Sequence, residues 1–287
     1  MLVIAGTVPY DDFPLITGDI ALKGESIVFK NICVPIARGT PALIAAAMKT
    51  YEFIGRTELS VCLAGDTGLG AGSRKLYKYL TENLGQNDFR AITFHYLQPD
   101  VDWHNRVFFA VEEIKRRPIL IADAGFMYAA KMSGQAAAYD LFTPDIGELA
   151  FLADEKAPHP FYTRGFILQE ENRIQDKIKR AYSHNNAPRH LLVKGKKDYI
   201  ANRHGIKATV SGPVEEAMEA IGGTGDTLTG IVSALIDSGM AMNDAMIAAA
   251  KANRIAGLLA EPTPASQVNE IIACIPKALD EVVKNAS

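Results

Sequence analysis

Asp226 follows the glycine-rich string Gly222-Gly223-Thr224-Gly225, and a carboxylate in that position can do two kinds of work. One is structural. An Asp at the start of a helix caps it by accepting a hydrogen bond from an unpaired amide of the first turn. The other is chemical. Glycines let the backbone approach an anion closely, so the amides of Gly223, Thr224 and Gly225 can converge on one phosphoryl group. The positive end of a helix dipole adds to that attraction. A carboxylate beside such a site repels the anion, and its use there is to take a proton from a hydroxyl attacking the phosphoryl group. Cap and general base both remain open at this stage.

Further residues of this kind stand where apolar runs end. Leu59 to Ala64 is an apolar run followed by Gly65-Asp66-Thr67-Gly68-Leu69-Gly70 and a helical pattern from about Ser73 to Leu84, the βα unit of an α/β sheet. The string departs too far from G-x-G-x-x-G to be a dinucleotide fingerprint. Ile119 to Ala122 ends at Asp123, and the carboxyl end of a parallel strand is where open α/β sheets bind ligands. In Thr143-Pro144-Asp145-Ile146-Gly147-Glu148, Asp145 and Glu148 form either a capping box or a pair of carboxylates steering magnesium through its waters. Lys194-Gly195-Lys196-Lys197 is either a solvated turn or a place where Lys194 meets nucleotide phosphates as a point charge.

The elements that must position these residues follow from periodicity. Leu228, Ile231, Val232, Leu235 and Ile236 recur at helical spacing on one buried face, and Gly239 stands where a left-handed C-cap would sit. Strands are expected at Met1 to Ala5, Ala91 to Leu97, Leu141 to Thr143 and His190 to Lys194, with a hairpin from Tyr199 to Val210. Further helices are expected from Pro41 to Phe53 with Thr40 as N-cap, Trp103 to Lys115, about Ile167 to Ser183, and Asn243 (as cap) to Ala260. A last helix, Ser266 to Val283, is interrupted by Pro276. From Pro9 to Lys30 only an edge strand at Ile27 to Phe29 suggests itself, and His159 and His184 are expected on surface loops. Strands alternating with helices give a three-layer α/β/α fold with a mostly parallel sheet.

Bulk properties narrow the class. The composition, 48% hydrophobic and 22% charged over 287 residues, is that of an ordinary soluble protein, read as a single domain spanning 1–287. A net charge of −3 gives no reason to expect nucleic acid or an anionic membrane as partner. Cys33, Cys62 and Cys274 are scattered and read as free thiols. With no basic n-region at the start and no apolar stretch of membrane-spanning length, a cytoplasmic location is expected.

Gly223-Thr224-Gly225-Asp226 with Thr229-Gly230 resembles the anion-hole and catalytic-base signature of the ribokinase-like superfamily. Within it the likeness is greatest to the ADP- or ATP-dependent NAD(P)H-hydrate dehydratases, with hydroxyethylthiazole kinases and other small-molecule kinases nearby. Gly65 to Gly70 resembles that family's proline-glycine-leucine-glycine loop, with Asp66-Thr67 in place of glycine-proline. Asp123 matches the first Asp of its Asp-Ala-Asp, and Gly125 replaces the second. Thr143, Pro144, Gly147 and Glu148 match its Thr-Pro-His-Pro-Gly-Glu string, with Asp145 in the histidine place. The resemblance runs from about residue 40 to 285. It implies Asp226 as catalytic base and Gly223, Thr224 and Gly225 as the anion hole. It also implies Lys194, Gly195 and Asn253 at the nucleotide, Gly68, Gly70, Asp123 and Asp145 at the substrate, and Glu148 directing Mg2+. The cofactors would be ATP or ADP with Mg2+. The partner would be a small molecule, hydrated NADH or NADPH or a small alcohol, in a protein that is often a homo-oligomer. Three functions stand in order: the cofactor-repair dehydratase, a plain sugar- or thiazole-type kinase, and a non-catalytic nucleotide binder.

Overall fold

A computed structural model describes residues 1–86, 88–157 and 173–284. The chain begins with β1 (Leu2–Val8), β2 (Ile16–Asp19), β3 (Ala21–Lys23), β4 (Ser26–Phe29), β5 (Ile32–Pro35) and α1 (Thr40–Ile54). It continues through β6 (Leu59–Gly65), α2 (Ala71–Asn83), β7 (Ala91–His95), α3 (Val101–Glu112), β8 (Ile119–Ala122), α4 (Ala124–Met132), β9 (Leu141–Phe142) and α5 (Ile146–Ala153). After α6 (Ile174–Ser183) come β10 (His190–Val193), β11 (Asp198–Asn202), β12 (Gly205–Val210), α7 (Thr224–Ser238), α8 (Met242–Ala260), α9 (Val268–Ala273) and α10 (Ile275–Lys284).

Among the described residues one sheet runs β12-β11-β10-β9-β8-β7-β1-β6-β2. From β6 to β10 every pairing is parallel, while β2, β11 and β12 are antiparallel additions at the edges. Successive side chains of a strand face opposite ways, so each strand feeds two cores. In β1, Leu2, Ile4 and Val8 join the core under α1, α7, α8, α9 and α10, whereas Val3 and Ala5 join the core under α2, α3, α4, α5 and α6. These are the three layers expected. The same alternation points Thr93 and His95 of β7 to the α7 side, opposite Ile92 and Phe94. Strand order reverses around β1, leaving a crevice at the carboxyl ends of β1 and β7 where such sheets take ligands.

Several local expectations are corrected. Residues 9–35 hold four strands, and β4 is the centre of a second sheet, β3-β4-β5, not an edge. Its Ile27 packs with Val34 in the α1/α7 core, a contact that short-range pattern does not encode. Helix α1 includes Thr40 and takes Gly39 as its cap position, and α8 begins at Met242 without a side-chain cap from Asn243. Helix α3 starts earlier, because the Asp100 carboxylate accepts from Trp103 N at 3.0 Å. The interruption expected at Pro276 is present: the last helical stretch breaks at Cys274 into α9 and α10, with Pro276 in the first turn of α10. The expected loop at His159 and the start of the polar helix at Ile167 lie outside the described residues. His184 caps the end of α6, 4.0 Å from Glu155. Cys33, Cys62 and Cys274 are free thiols.

His104 on α3 is fully buried, with its ring nitrogens 2.8 Å from the Tyr139 hydroxyl and 2.9 Å from Ser133 Oγ. Burial pulls its pKa from the ordinary 6.5 down to about 4. The unfolded chain therefore binds a proton below pH 6.5 that the folded chain refuses until about 4, so stability falls as pH drops through that window. The full effect is about 3 kcal/mol. Urea unfolding at pH 7 and pH 4.5 is expected to show a smaller acid-induced loss for His104→Gln than for the parent; equal losses would disprove the assignment.

Candidate active site

Helix α7 starts at Thr224, with Gly223 (φ +100°) at the cap position and no capping side chain. Asp226 therefore lies inside the first turn, and its carboxylate serves other elements. Oδ2 accepts from the Gly39 amide at 2.7 Å, and Oδ1 lies 3.0 Å from His95 Nε2. The cap reading of Asp226 is set aside by these partners. Gly39 has φ 68° and ψ −148°, a conformation that essentially only glycine adopts, and it turns the amide toward the carboxylate. His95 ends β7, is wholly buried, and has Nδ1 2.9 Å from Thr40 Oγ1. With the Nε2–H tautomer the ring donates to Asp226 and receives the Thr40 hydroxyl proton.

A polar stripe explains how α7 sits on the sheet. Asp226, Thr229 and Ser233 fall on one side of the helix, beside the apolar face that the periodicity marks. Thr229 Oγ1 donates to Asp123 Oδ2 at 2.7 Å and lies 2.9 Å from Thr143 Oγ1, while Ser233 Oγ accepts from Thr93 at 2.9 Å. Asp123, at the end of β8, is buried and takes the Lys194 ammonium on both oxygens at 3.0 and 2.8 Å. Burial raises the Asp123 carboxyl, but the Lys194 ammonium, helped by the Thr229 hydroxyl, outweighs it and holds the carboxyl below the usual range. Burial likewise lowers the Lys194 ammonium, and Asp123 and Glu148 outweigh that, so it is held above its usual value. The stem of Lys194 passes under the glycine loop, and a Cβ on Gly225 would lie 3.5 Å from its Cδ.

The other expected residues surround this centre in different ways. Asp145 and Glu148 do form a capping box on α5: Glu148 N donates to Asp145 Oδ1 at 2.7 Å and Asp145 N to Glu148 Oε2 at 2.8 Å. The Tyr128 hydroxyl donates to Glu148 Oε1 at 2.7 Å. Burial, reinforced by the like charges of Asp123 and Asp145, pushes Glu148 up to about 8. Asn253 clamps the start of α7, accepting from Thr227 Oγ1 at 2.6 Å and donating to Thr224 O at 3.0 Å. Gly195 donates to Asp198 at 3.2 Å, and its carbonyl accepts from Arg254 at 2.8 Å. The amides of Gly68 and Gly70 both donate to Asp66 Oδ1 at 2.9 Å, so that carboxylate shapes the loop from inside.

His95 and Gly39 escaped the sequence reading, and Thr40 was read only as a helix cap. His95 carried a usable signal, since it ends a buried strand just as Asp123 does. Gly39 carried none, because its partner is far along the chain. Among the described residues His95, Asp123 and Asp226 offer ligand atoms within 4.8 Å of one another. The three are joined through hydrogen bonds to Lys194, Thr229, Thr40 and Gly39, and each Asp226 oxygen, with one partner, keeps a free lone pair.

The Asp226 carboxylate thus stands in the first turn of a helix at the carboxyl ends of a mostly parallel sheet, in a ribokinase-like α/β/α fold. The chain belongs to the carbohydrate-kinase-like family described as NAD(P)H-hydrate dehydratase, whose profile matches residues 98–277. An uncharacterised protein of Methanocaldococcus jannaschii is 42% identical over 243 residues, covering 84% of this chain and all of that protein. The fold is also that of the Bacillus subtilis ADP/ATP-dependent NAD(P)H-hydrate dehydratase co-crystallised with ATP/Mg2+, with TM-score 0.57, 16% identity, and 100% and 90% of the two chains covered. Staphylococcus aureus pyridoxal kinase in complex with AMP-PCP and pyridoxal superposes with TM-score 0.54 at 15% identity, over 88% of this chain and 86% of that one.

The placement of α7 depends on Gly230, where a Cβ would fall 2.2 Å from the Leu43 carbonyl oxygen on α1. Gly230→Ala must push the two helices apart and is expected to cost about 1–3 kcal/mol. Gly225→Ala meets Lys194 at ordinary contact distance and is expected to cost less than about 1 kcal/mol. Chemical denaturation compares them, and equal costs would show that the close approach is not what fixes α7.

Proposed function

We propose that the protein is an ADP- or ATP-dependent NAD(P)H-hydrate dehydratase, a cytoplasmic cofactor-repair enzyme working as one unit over residues 1–287. The observation that carries the reading is the Asp226 carboxylate, anchored by Gly39 and His95 next to the first amides of α7. A protein that only bound nucleotide would gain nothing from a carboxylate there, because it repels phosphate.

Asp226 orients the acceptor hydroxyl and takes its proton as the oxygen attacks the terminal phosphoryl group. The amides of Gly223, Thr224 and Gly225 stabilise the charge that develops on the transferring group. Asp123 and Thr229 fix the acceptor side of the base, with Gly68 and Gly70 shaping the neighbouring loop. Lys194 and Gly195 lie on the nucleotide side, and Asn253 supports it by holding the first turn of α7. When the acceptor is hydrated NADH or NADPH, the phosphate then leaves by elimination and the ring double bond is restored.

Magnesium fits the residues present. Glu148 resists ionisation chiefly because it is buried and then because Asp123 and Asp145 carry like charge, and a divalent cation would offset both. Glu148 and Asp145 would hold it through water, and the ion would neutralise nucleotide phosphates. Asp145, which is neither the histidine of the dehydratases nor the asparagine of the kinases, keeps a small-molecule kinase as the second reading.

Incubation with hydrated NADH, ATP or ADP and Mg2+ is expected to regenerate NADH absorbance and release phosphate in step. Asp226→Asn should lower turnover by about 10²–10⁴-fold with nucleotide affinity nearly unchanged. Undiminished turnover in that variant would remove Asp226 from the chemistry. A stable phosphorylated product in place of free phosphate would identify a kinase.

A further inference from the structure

Exposed apolar side chains gather at the carboxyl ends of three adjacent strands. Tyr10 stands just after β1 and is 45% exposed, Leu69 follows β6 at 80%, and Tyr96 directly follows β7 at 48%. Because β1 lies between β6 and β7, and strands are about 4.8 Å apart, the rim spans about 10 Å. That is the width of a flat ring system. The Gln98 amide donates to Ser73 Oγ at 3.0 Å and ties the Leu69 loop to the segment carrying Tyr96.

Single exposed apolar residues need no explanation, but the backbone of Tyr96 does. Its φ is +54°, the left-handed region, which costs a residue with a Cβ about 1–2 kcal/mol. Thr7 Oγ1 donates to the Tyr96 carbonyl at 2.6 Å and helps hold that turn. The strained conformation sets the phenol ring edge-on to the His95 imidazole, 4.3 Å between centroids. On another side the ring meets Gly39, where a Cβ would be only 3.5 Å from Tyr96 Cε2. His95 and Gly39 are the two groups that hold Asp226. Among the influences on the Tyr96 hydroxyl the charge of Asp226 is the largest, ahead of burial, and it raises the phenol so that it stays protonated and able to donate. Strain of this kind, beside reacting groups, marks residues placed for ligands rather than for packing.

We infer that Tyr96 is the floor of the acceptor subsite, taking a planar ring on its open face while the ring's hydroxyl is directed to Asp226. The protein then selects acceptors whose reacting hydroxyl is carried on or beside a flat ring, and disfavours open-chain polyols and sugars. Leu69 and Tyr10 complete the apolar rim. This rests on the phosphoryl-transfer reading of Asp226 and names the class of acceptor for the same site; in hydrated NADH the conjugated N1–C2=C3–carboxamide part of the ring offers the flat surface and the hydroxyl sits on the adjoining saturated carbon.

The backbone strain makes the test selective. Glycine prefers the conformation Tyr96 adopts, so Tyr96→Gly is expected to melt no lower than the parent. Its KM for hydrated NADH at saturating ATP is nevertheless expected to rise about tenfold, with a smaller change in kcat, for loss of the ring contact. Tyr96→Phe keeps the platform and should hold KM within about threefold. An unchanged KM in Tyr96→Gly would overturn the assignment, and so would a Tyr96→Phe defect equal to that of the glycine variant. Reduced nicotinamide mononucleotide titrated calorimetrically into parent and Tyr96→Gly gives a readout independent of turnover. Binding lost in the variant supports the platform; equal binding, or none to the parent, rejects it. Failure of the underlying phosphoryl-transfer reading would show separately, as turnover indifferent to Asp226→Asn.

Discussion

The structure depends on one buried contact set: the Asp226 carboxylate between the Gly39 amide and the His95 imidazole. Removing a carboxylate from water is costly, and the cost is offset only by donors fixed in place. Here one donor comes from the turn before α1, one from the end of β7, and the helix dipole of α7 acts on both oxygens. Because those donors belong to different layers, holding Asp226 also joins α1, α7 and the sheet.

The second charged pair complements the first. Lys194 neutralises Asp123 inside the sheet, so Asp226 is left as the carboxylate without an ammonium on it. Thr229 stands between the two acids, bonded to Asp123 and rooted in the turn after Asp226. Glu148, on the far side of Asp123, is held by its capping box with its charge only partly favoured.

Close approach does the remaining positioning. Gly230 lets α7 lie on the backbone of α1, and Gly72 does the same for α2 against the Gly65 carbonyl, where a Cβ would come within 1.8 Å. Two cores, one on each face of the sheet, hold these helices without requiring a loop to be rigid by itself. The loops can then be shaped by single carboxylates, as Asp66 shapes the Gly68 turn.

Much of this was legible in the sequence, and the division follows the range of the forces. The apolar spacing of α7, the strand-then-loop junctions and the glycine string are local patterns, set by neighbours a few residues apart. They placed Asp226, Asp123 and Glu148 at the ends of elements, and from there the layered fold and the family resemblance followed. The capping box at Asp145 and Glu148 was local too, and was readable for that reason. Whether Asp226 capped its own helix or faced a ligand was not. Its partners lie 187 and 131 residues away, and only the order of strands, with β7 beside β1, brings them to it. The same holds for β4, whose short run says nothing of a strand on either side, and for Tyr96, whose carbonyl is bonded by Thr7 on the adjacent strand. Sequence determined which residues could do chemistry; tertiary structure decided which of them meet, because hydrogen bonds and ion pairs act only at contact.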